Sequence, residues 1–228
     1  ETRHYIDVMF PVLHGPRGED GTVQGLFELM NIPYVSCGVS SSAVCMDKVF
    51  TKQILSKAGL PVVNYLVFYK NDLPNKMPQI ISDIEAQLGY PCFIKPANLG
   101  SSVGISKARN RESLEKALML AAEYDRKIIV EKSIDAREIE CSVLGNEEPK
   151  ASLPGEIIPS NEFYDYNAKY LDGGKSKLLI PAPLAGEQIR KIQELSIRAF
   201  KAMDCAGMAR VDFLIDKISG IIYISELN

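Results

Sequence analysis

Histidine is scarce in this 228-residue chain, with His4 and His14 the only two. A structural zinc site or a histidine-based catalytic triad would need ligands that the sequence hardly offers. Basic charge is not in excess either: 26 Lys and Arg stand against 29 Asp and Glu, for a net charge of −3. No global positive field exists to hold a nucleic-acid backbone, so no nucleic-acid partner is expected. Long hydrophobic runs are missing as well. The longest apolar stretches, such as 178–186, are broken by proline and fall short of the ~18 residues a membrane span needs, so no membrane association is expected. No charged segment followed by an apolar one opens the chain, which leaves export unsupported, although Glu1 need not be the biological start.

Five cysteines (Cys37, Cys45, Cys92, Cys141 and Cys205) are odd in number, scattered, mostly inside apolar segments, and without a close Cys-Cys or Cys-His spacing. They fit buried thiols in a reducing cytoplasm better than a disulfide framework. What is present is a globular composition, 46% hydrophobic and 24% charged. That is enough for a substantial core in about one or two domains. Hard oxygen ligands remain available for a metal.

Tyr5 to Leu13 reads as a buried strand ending at His14-Gly15, followed by a turn-rich loop, Pro16 to Gly21, and a short helix from Thr22 to Met30. Ser40-Ser41-Ser42 can cap a helix whose Met46, Phe50, Ile54 and Leu55 recur at helical spacing up to Gly59, with Asp47 and Lys48 on its first turns. A β-rich run, Val62 to Tyr69, precedes a helix from about Pro78 to Leu88. Cys92-Phe93-Ile94 then reads as a strand running into Lys95. After a small-residue loop, Ala97 to Gly104, a short strand leads to a helix capped by Asn110, and Ile128 to Glu131 is the next strand. Strands near 139–144 and 156–158 precede a polar segment, Pro159 to Lys177, that no periodicity organises; segments this long are usually lids or disordered. A helix from Glu187 to Met203 leads to strands Met208 to Ile215 and Ile221 to Leu227, which the turn at Lys217 to Gly220 makes a hairpin. The alternation is that of an α/β protein, without internal repeats.

Three places could carry chemistry. Lys95 to Gly104 joins two strands and holds two glycines, two serines and a lysine at its entrance. Its amides can fold over polyphosphate oxygens while Lys95 supplies a point charge. It lacks the Gly-Lys-Ser/Thr ending of a P-loop, and an ordinary glycine turn would use the same residues. Arg210-Val211-Asp212 and Glu226-Leu227-Asn228 lie on the two strands of the last hairpin, and i, i+2 spacing turns their polar ends to one face. Two carboxylates and an amide oxygen suit magnesium held jointly with substrate phosphates, whereas either triplet alone would pass for a solvated face. Glu131-Lys132-Ser133-Ile134, with Arg137-Glu138 next, offers backbone groups and a carboxylate at a cleft edge where adenine and ribose could be read; a surface charge cluster would look the same. His14 to Gly21 is either a substrate loop or a glycine-rich turn.

Taken in order, these pieces resemble the ATP-grasp superfamily and, within it, the D-alanine:D-alanine ligases. The match runs through His14-Gly15 with Gly18-Glu19-Asp20-Gly21, Met46-Asp47-Lys48, Lys95-Pro96 with Gly100 to Gly104, and Glu131-Lys132. It continues through Phe163-Tyr164-Asp165-Tyr166 with Ala168-Lys169-Tyr170, Arg210-Val211-Asp212 and Glu226-Leu227-Asn228. The resemblance implies an ATP-dependent, ADP-forming ligase that phosphorylates the carboxylate of one D-alanine and lets the amine of a second attack the acyl phosphate, feeding peptidoglycan and thus cell-wall synthesis in the cytoplasm. It implies ATP and two Mg2+ ions, for which Mn2+ can substitute, and a homodimer. By matching position, Lys48 and Lys95 would hold the ATP phosphates, and Ser101, with Ser102 beside it, would sit near the transferring phosphate. Glu131, Lys132, Ile134 and Glu138 would hold adenine and ribose; Asp212, Glu226 and Asn228 would bind the metal ions. Arg210 would stabilise the tetrahedral oxyanion. Lys169 and Tyr170, on the family's ω-loop, would close over the substrates, Tyr170 marking an amine acceptor, and His14 would complete the catalytic group on the substrate loop.

The implied fold is an ATP-grasp fold, two α+β subdomains clasping ATP, with the remnant of an N-terminal Rossmann-like α/β domain. Its divisions fall at 1–46 for part of the substrate domain, 47–130 for the small subdomain and 131–228 for the C-terminal subdomain. Two family features are not in the sequence: a first strand with a Glu-His-Glu-type loop, expected before Glu1, and a Thr-x-Pro-Gly and Ser-Met stretch, expected after Asn228. A complete D-alanine site is therefore not expected within these residues. The alternatives are a D-alanine:D-lactate ligase on the same fold and a non-catalytic ATP-binding module.

Overall fold

Strand β4 (Lys127–Lys132) is buried along all but its last residue, so it has to lie inside a sheet. The computed structural model of the chain describes residues 6–100, 103–159 and 176–228. In it, β4 is flanked by β1 (Tyr65–Tyr69) and β2 (Cys92–Pro96), and β3 (Ser106–Ala108) completes an antiparallel sheet of order β1-β4-β2-β3. One face carries Cys92, Ile94, Ile128 and Val130 under two helices, α4 (Leu73–Gln87) and α5 (Arg111–Tyr124). The alternate residues Lys95, Ile129 and Glu131 take the other face.

The second sheet is built on β5 (Ala136–Leu144) and β9 (Met208–Asp216), with β10 (Ile222–Leu227), β7 (Gly155–Ile158) and β8 (Lys177–Leu179) in the order β10-β9-β5-β7-β8; β6 (Lys150–Ala151) pairs with β5. Helix α6 (Gly186–Ala202) buries Ile192, Leu195, Ala199 and Phe200 against Ile139, Cys141, Val211, Phe213 and Ile224. The alternate residues Glu140, Arg210 and Asp212 take the face opposite α6. Both sheets are wholly antiparallel in their pairings, the layout of an α+β clasp.

Three helices precede them: α1 (Thr22–Met30), α2 (Val39–Met46) and α3 (Lys48–Lys57). The single helix read from Ser40 to Gly59 is in fact two. Asp47 is extended, with φ −84° and ψ 101°, and its carboxylate caps α3 by accepting the N–H groups of Val49 and Phe50 at 3.0 and 3.2 Å. The apolar spacing that spans the break runs through Phe50, which is exposed, so periodicity alone hides it. Helix α4 likewise starts before Pro78, with Pro74 in its first turn and Pro78 inside it. Of two prolines able to open the helix, the earlier does so.

The buried strand read from Tyr5 to Leu13 is corrected. Among the described residues it reduces to a single parallel bridge, Met9 with Tyr34, while Ile6, Val8, Phe10, Val12 and Leu13 are exposed. An apolar run becomes a buried strand only where neighbours cover it. The five cysteines are all free thiols, but only Cys92, Cys141 and Cys205 are buried; Cys37 and Cys45 are half-buried. Asn110 caps α5 in a reciprocal box with Ser113, accepting its N–H at 2.9 Å while Ser113 Oγ accepts the Asn110 N–H at 3.1 Å. Among the described residues no helix is long and apolar enough to cross a membrane.

Candidate functional site

A cleft of about 630 Å³ opens between residues 10–48, the loop at Leu99-Gly100 and the face of the large sheet opposite α6. Its lining brings together His14, Lys48, Glu138, Arg210, Asp212, Glu226 and Asn228 from distant parts of the sequence. Lys95, Glu131, Lys132 and Ile134 do not line it; they lie on and just beyond the strands of the small sheet. Ser101, Ser102, Lys169 and Tyr170 lie outside the described residues, as does the whole motif Phe163 to Tyr170.

On the small sheet, Glu131 accepts from Lys95 Nζ at 2.7 Å and pairs with Lys52 Nζ at 3.1 Å. Burial works to raise the Glu131 carboxyl, but the two ammonium groups outweigh it and hold it down at about 2. Burial lowers the Lys52 ammonium despite Glu131. At Lys95, burial is outweighed by attraction to Glu131, Glu226 and Glu138, so its ammonium is raised. One carboxylate thus pairs directly with two buried cations, and Glu226 and Glu138 add to the field at Lys95. The Glu131 side chain, read from the sequence as a group for adenine or ribose, is committed to the two lysines.

On the large sheet, Glu140, Asp212 and Glu226 stand opposite one another on β5, β9 and β10. A bulge between Ile224 and Glu226 makes this row possible. Ile224 and Leu227, three residues apart, both point into the core, and the extra residue between them returns Glu226 to the cleft face. Like charges directly opposed repel, so the row requires cations. Arg210 supplies one through a bidentate pair with Asp212, Nε at 2.7 Å and Nη2 at 2.8 Å, with Glu140 at 3.3 Å from the same Nε. Lys48 Nζ supplies another, 3.8 Å from Glu226. Asn228 Nδ2 donates to Asp212 at 2.9 Å. Even so, burial, with Glu226 and Glu140 close by, pushes the Asp212 carboxyl up against the pull of Arg210.

These donors fit a divalent hard cation. Among the described residues no three His, Cys, Asp or Glu side chains are grouped so as to hold a metal ion by themselves. Asp212, Glu226 and the Asn228 amide oxygen offer an oxygen-only partial shell that leaves positions for water and phosphate oxygens, as magnesium prefers.

Loops close the ends of the cleft. Lys48 opens α3, and its Nζ donates to the Leu99 carbonyl at 2.6 Å. A Cβ on Gly100 would come within 3.2 Å of Gly15 Cα, so the glycine loop after β2 rests directly on the loop after His14. His14 is exposed at the cleft wall. At the strand exit, Lys132 N–H donates to Asn64 O at 3.0 Å, and Ile134 is half-buried. Arg137, beside Glu138, forks onto Glu156 with both bonds at 2.7 Å.

Sequence reasoning missed Lys52 and Glu140. A lysine within the stripe Val49, Lys52, Leu55 was the available signal for the first, because a charge on an apolar face needs a buried partner. For Glu140 no signal existed apart from the register.

A small antiparallel sheet carrying Lys95, beside a large one whose cleft face carries Arg210, Asp212 and Glu226, is the layout of an ATP-grasp protein. The family model described as D-ala D-ala ligase C-terminus matches residues 54–228, and that described as D-ala D-ala ligase N-terminus matches residues 1–37. The chain belongs to the D-ala D-ala ligase family. It is 63% identical over 223 residues, 98% of this chain and 62% of the relative, to a D-alanine--D-alanine ligase of Thermoanaerobacter sp. (strain X514), and 58% identical, over 98% of this chain and 60% of the relative, to that of Ruminiclostridium cellulolyticum. Among solved structures, the VanG D-Ala:D-Ser ligase from Enterococcus faecalis superposes with a TM-score of 0.86 at 41% identity, covering 98% of this chain and 63% of that one. The D-alanine-D-alanine ligase from Coxiella burnetii gives 0.83 at 38% identity, with 99% and 59% covered. The chain spans about three fifths of the length of these relatives.

Proposed function

We propose that the protein carrying this chain ligates two D-alanines into D-alanyl-D-alanine with ATP, in the cytoplasm, as a step of peptidoglycan synthesis. The observation that carries this reading is the meeting of Lys48, Glu138, Arg210, Asp212, Glu226 and Asn228 on one cleft, in a chain 63% identical to a relative named for that activity. In the proposed reaction a carboxylate oxygen of the first D-alanine attacks the γ-phosphorus and ADP leaves. The amine of the second D-alanine then attacks the acyl carbon, loses a proton, and inorganic phosphate departs.

The division of labour follows charge. Lys48 and Lys95 hold phosphate oxygens from two sides, Lys95 being aimed by Glu131, while Ser101 and Ser102 belong to the loop over the transferring group. Lys132, Ile134 and Glu138 are assigned to adenine and ribose. Arg210 stabilises the oxyanion that develops on the acyl carbon. Lys169 and Tyr170 exclude water over the substrates, and His14 borders the substrate side. Asp212, Glu226 and Asn228 would hold two magnesium ions, replaceable by manganese, whose charge would neutralise that of the phosphates. The proposed divisions are residues 1–46, 47–130 and 131–228, and the proposed assembly is a homodimer.

The test supplies full-length protein with ATP, Mg2+ and D-alanine together with D-lactate and D-serine, and quantifies products by mass spectrometry. D-Alanyl-D-alanine as the dominant product with stoichiometric ADP is expected. A dominant depsipeptide or D-serine product would replace the acceptor, and no D-alanine-stimulated ADP release would leave a nucleotide-binding module.

A further inference from the structure

Arg210 is shared between two carboxylates of unequal standing. Asp212 holds it bidentately and also accepts from Asn228, whereas Glu140, directly across on β5, reaches the same guanidinium with one oxygen at 3.3 Å. If Asp212 is a metal ligand, as the functional reading has it, both of its oxygens are covered by Arg210 before any metal arrives. A cation at Asp212 therefore competes with the guanidinium for these oxygens and repels it. A cation freed inside a partly buried site needs another anion within reach. Glu140 is that anion: it lies one strand away, a quarter exposed, lines the cleft and already touches Nε.

We infer that Glu140 is a positioning residue that takes over Arg210 when Asp212 turns to the metal, leaving the guanidinium aimed into the cleft and lowering the cost of metal entry. This inference rests on the proposed nucleotide and magnesium site and adds to it a carboxylate exchange within the apo protein. Glu140 touches neither substrate nor metal in this arrangement; it acts through Arg210.

The experiment measures the Mg2+ midpoint for nucleotide binding by calorimetry on the full-length protein, without D-alanine. It compares wild type, Glu140→Gln, Glu140→Asp, Arg210→Ala and the double variant Glu140→Gln/Arg210→Ala. Glu140→Gln should raise the midpoint roughly three- to thirtyfold, the size of coupling found between groups in direct contact. Glu140→Asp should recover part of it. In the Arg210→Ala background, Glu140→Gln should change nothing further, because nothing is left to receive. An unshifted midpoint in Glu140→Gln overturns the inference, and so does a shift that persists undiminished without Arg210, which would make Glu140 a charge acting on the metal itself. Absence of magnesium-dependent nucleotide binding in wild type would overturn the functional reading, and this inference with it.

Discussion

Asp47 and Lys127, eighty residues apart in sequence, form an ion pair with both side chains almost wholly buried. Because Asp47 also caps α3, Asp47→Ala removes the cap and strands an ammonium group in the interior. The loss should be about 3–5 kcal/mol, as for other buried pairs broken on one side. Asp47→Asn keeps a capping oxygen and should lose less. Urea unfolding of both variants checks this, and an Asp47→Ala midpoint equal to wild type would refute it.

Lys95→Met should leave the fold intact, because Glu131 keeps Lys52 as a partner at 3.1 Å. Turnover should nevertheless fall on the order of 10² or more, the usual cost of losing a preorganised charge donor. Steady-state kinetics beside a thermal melt separates the two effects. Near-normal turnover would return the Lys95 to Gly104 loop to the status of an ordinary glycine turn.

The acid limb of stability should carry the signature of Glu131. Its carboxyl sits at about 2 in the folded protein against an ordinary 4.5, so the ionised form is favoured by folding. That contribution is present in full above about pH 4.5 and is lost as pH falls toward 2, amounting to about 3 kcal/mol. Glu131→Gln should be less stable at neutral pH and should show a flatter decline between those limits. Denaturant midpoints collected from pH 7 to pH 2 test the slope, and parallel curves for the two proteins would rule out this assignment.

Glu226→Gln should raise the Mg2+ concentration needed for activity, because a carboxylate that neutralises the ion becomes a neutral amide. Folding should change little, since the side chain is a third exposed. Magnesium titration of initial rates decides it; an unaltered dependence would mark the row on the large sheet as structural.

Much of this site was legible because it is local. Arg210, Asp212, Glu226 and Asn228 sit on one hairpin whose turn and alternation show in the sequence, and the bulge that keeps Glu226 on the cleft face preserves the i, i+2 reading. The cap at Asn110 is equally local. What escaped depends on partners far away in the chain. Nothing near Asp47 shows that Lys127 will arrive to hold a helix break there, and nothing near Glu140 shows that β9 will set Asp212 opposite it. The short strands β6 and β8 escaped because two or three residues carry no period to detect.

Helix α3 contributes Val49 to the cluster with Ala97 and Ile129 beneath the small sheet, and Leu55 to the core that α6 covers. It therefore works as a tie-rod between the two halves of the clasp, not as a linker between independent bodies. Neither half can melt without exposing apolar surface of the other, so the described fold should lose its structure in one cooperative step. A nucleotide gripped from both sides would raise that single transition as a whole. By the same constraint, any opening of the cleft would strain a packed helix, and the ease of that movement would be set by how the apolar Val49 and Leu55 are seated.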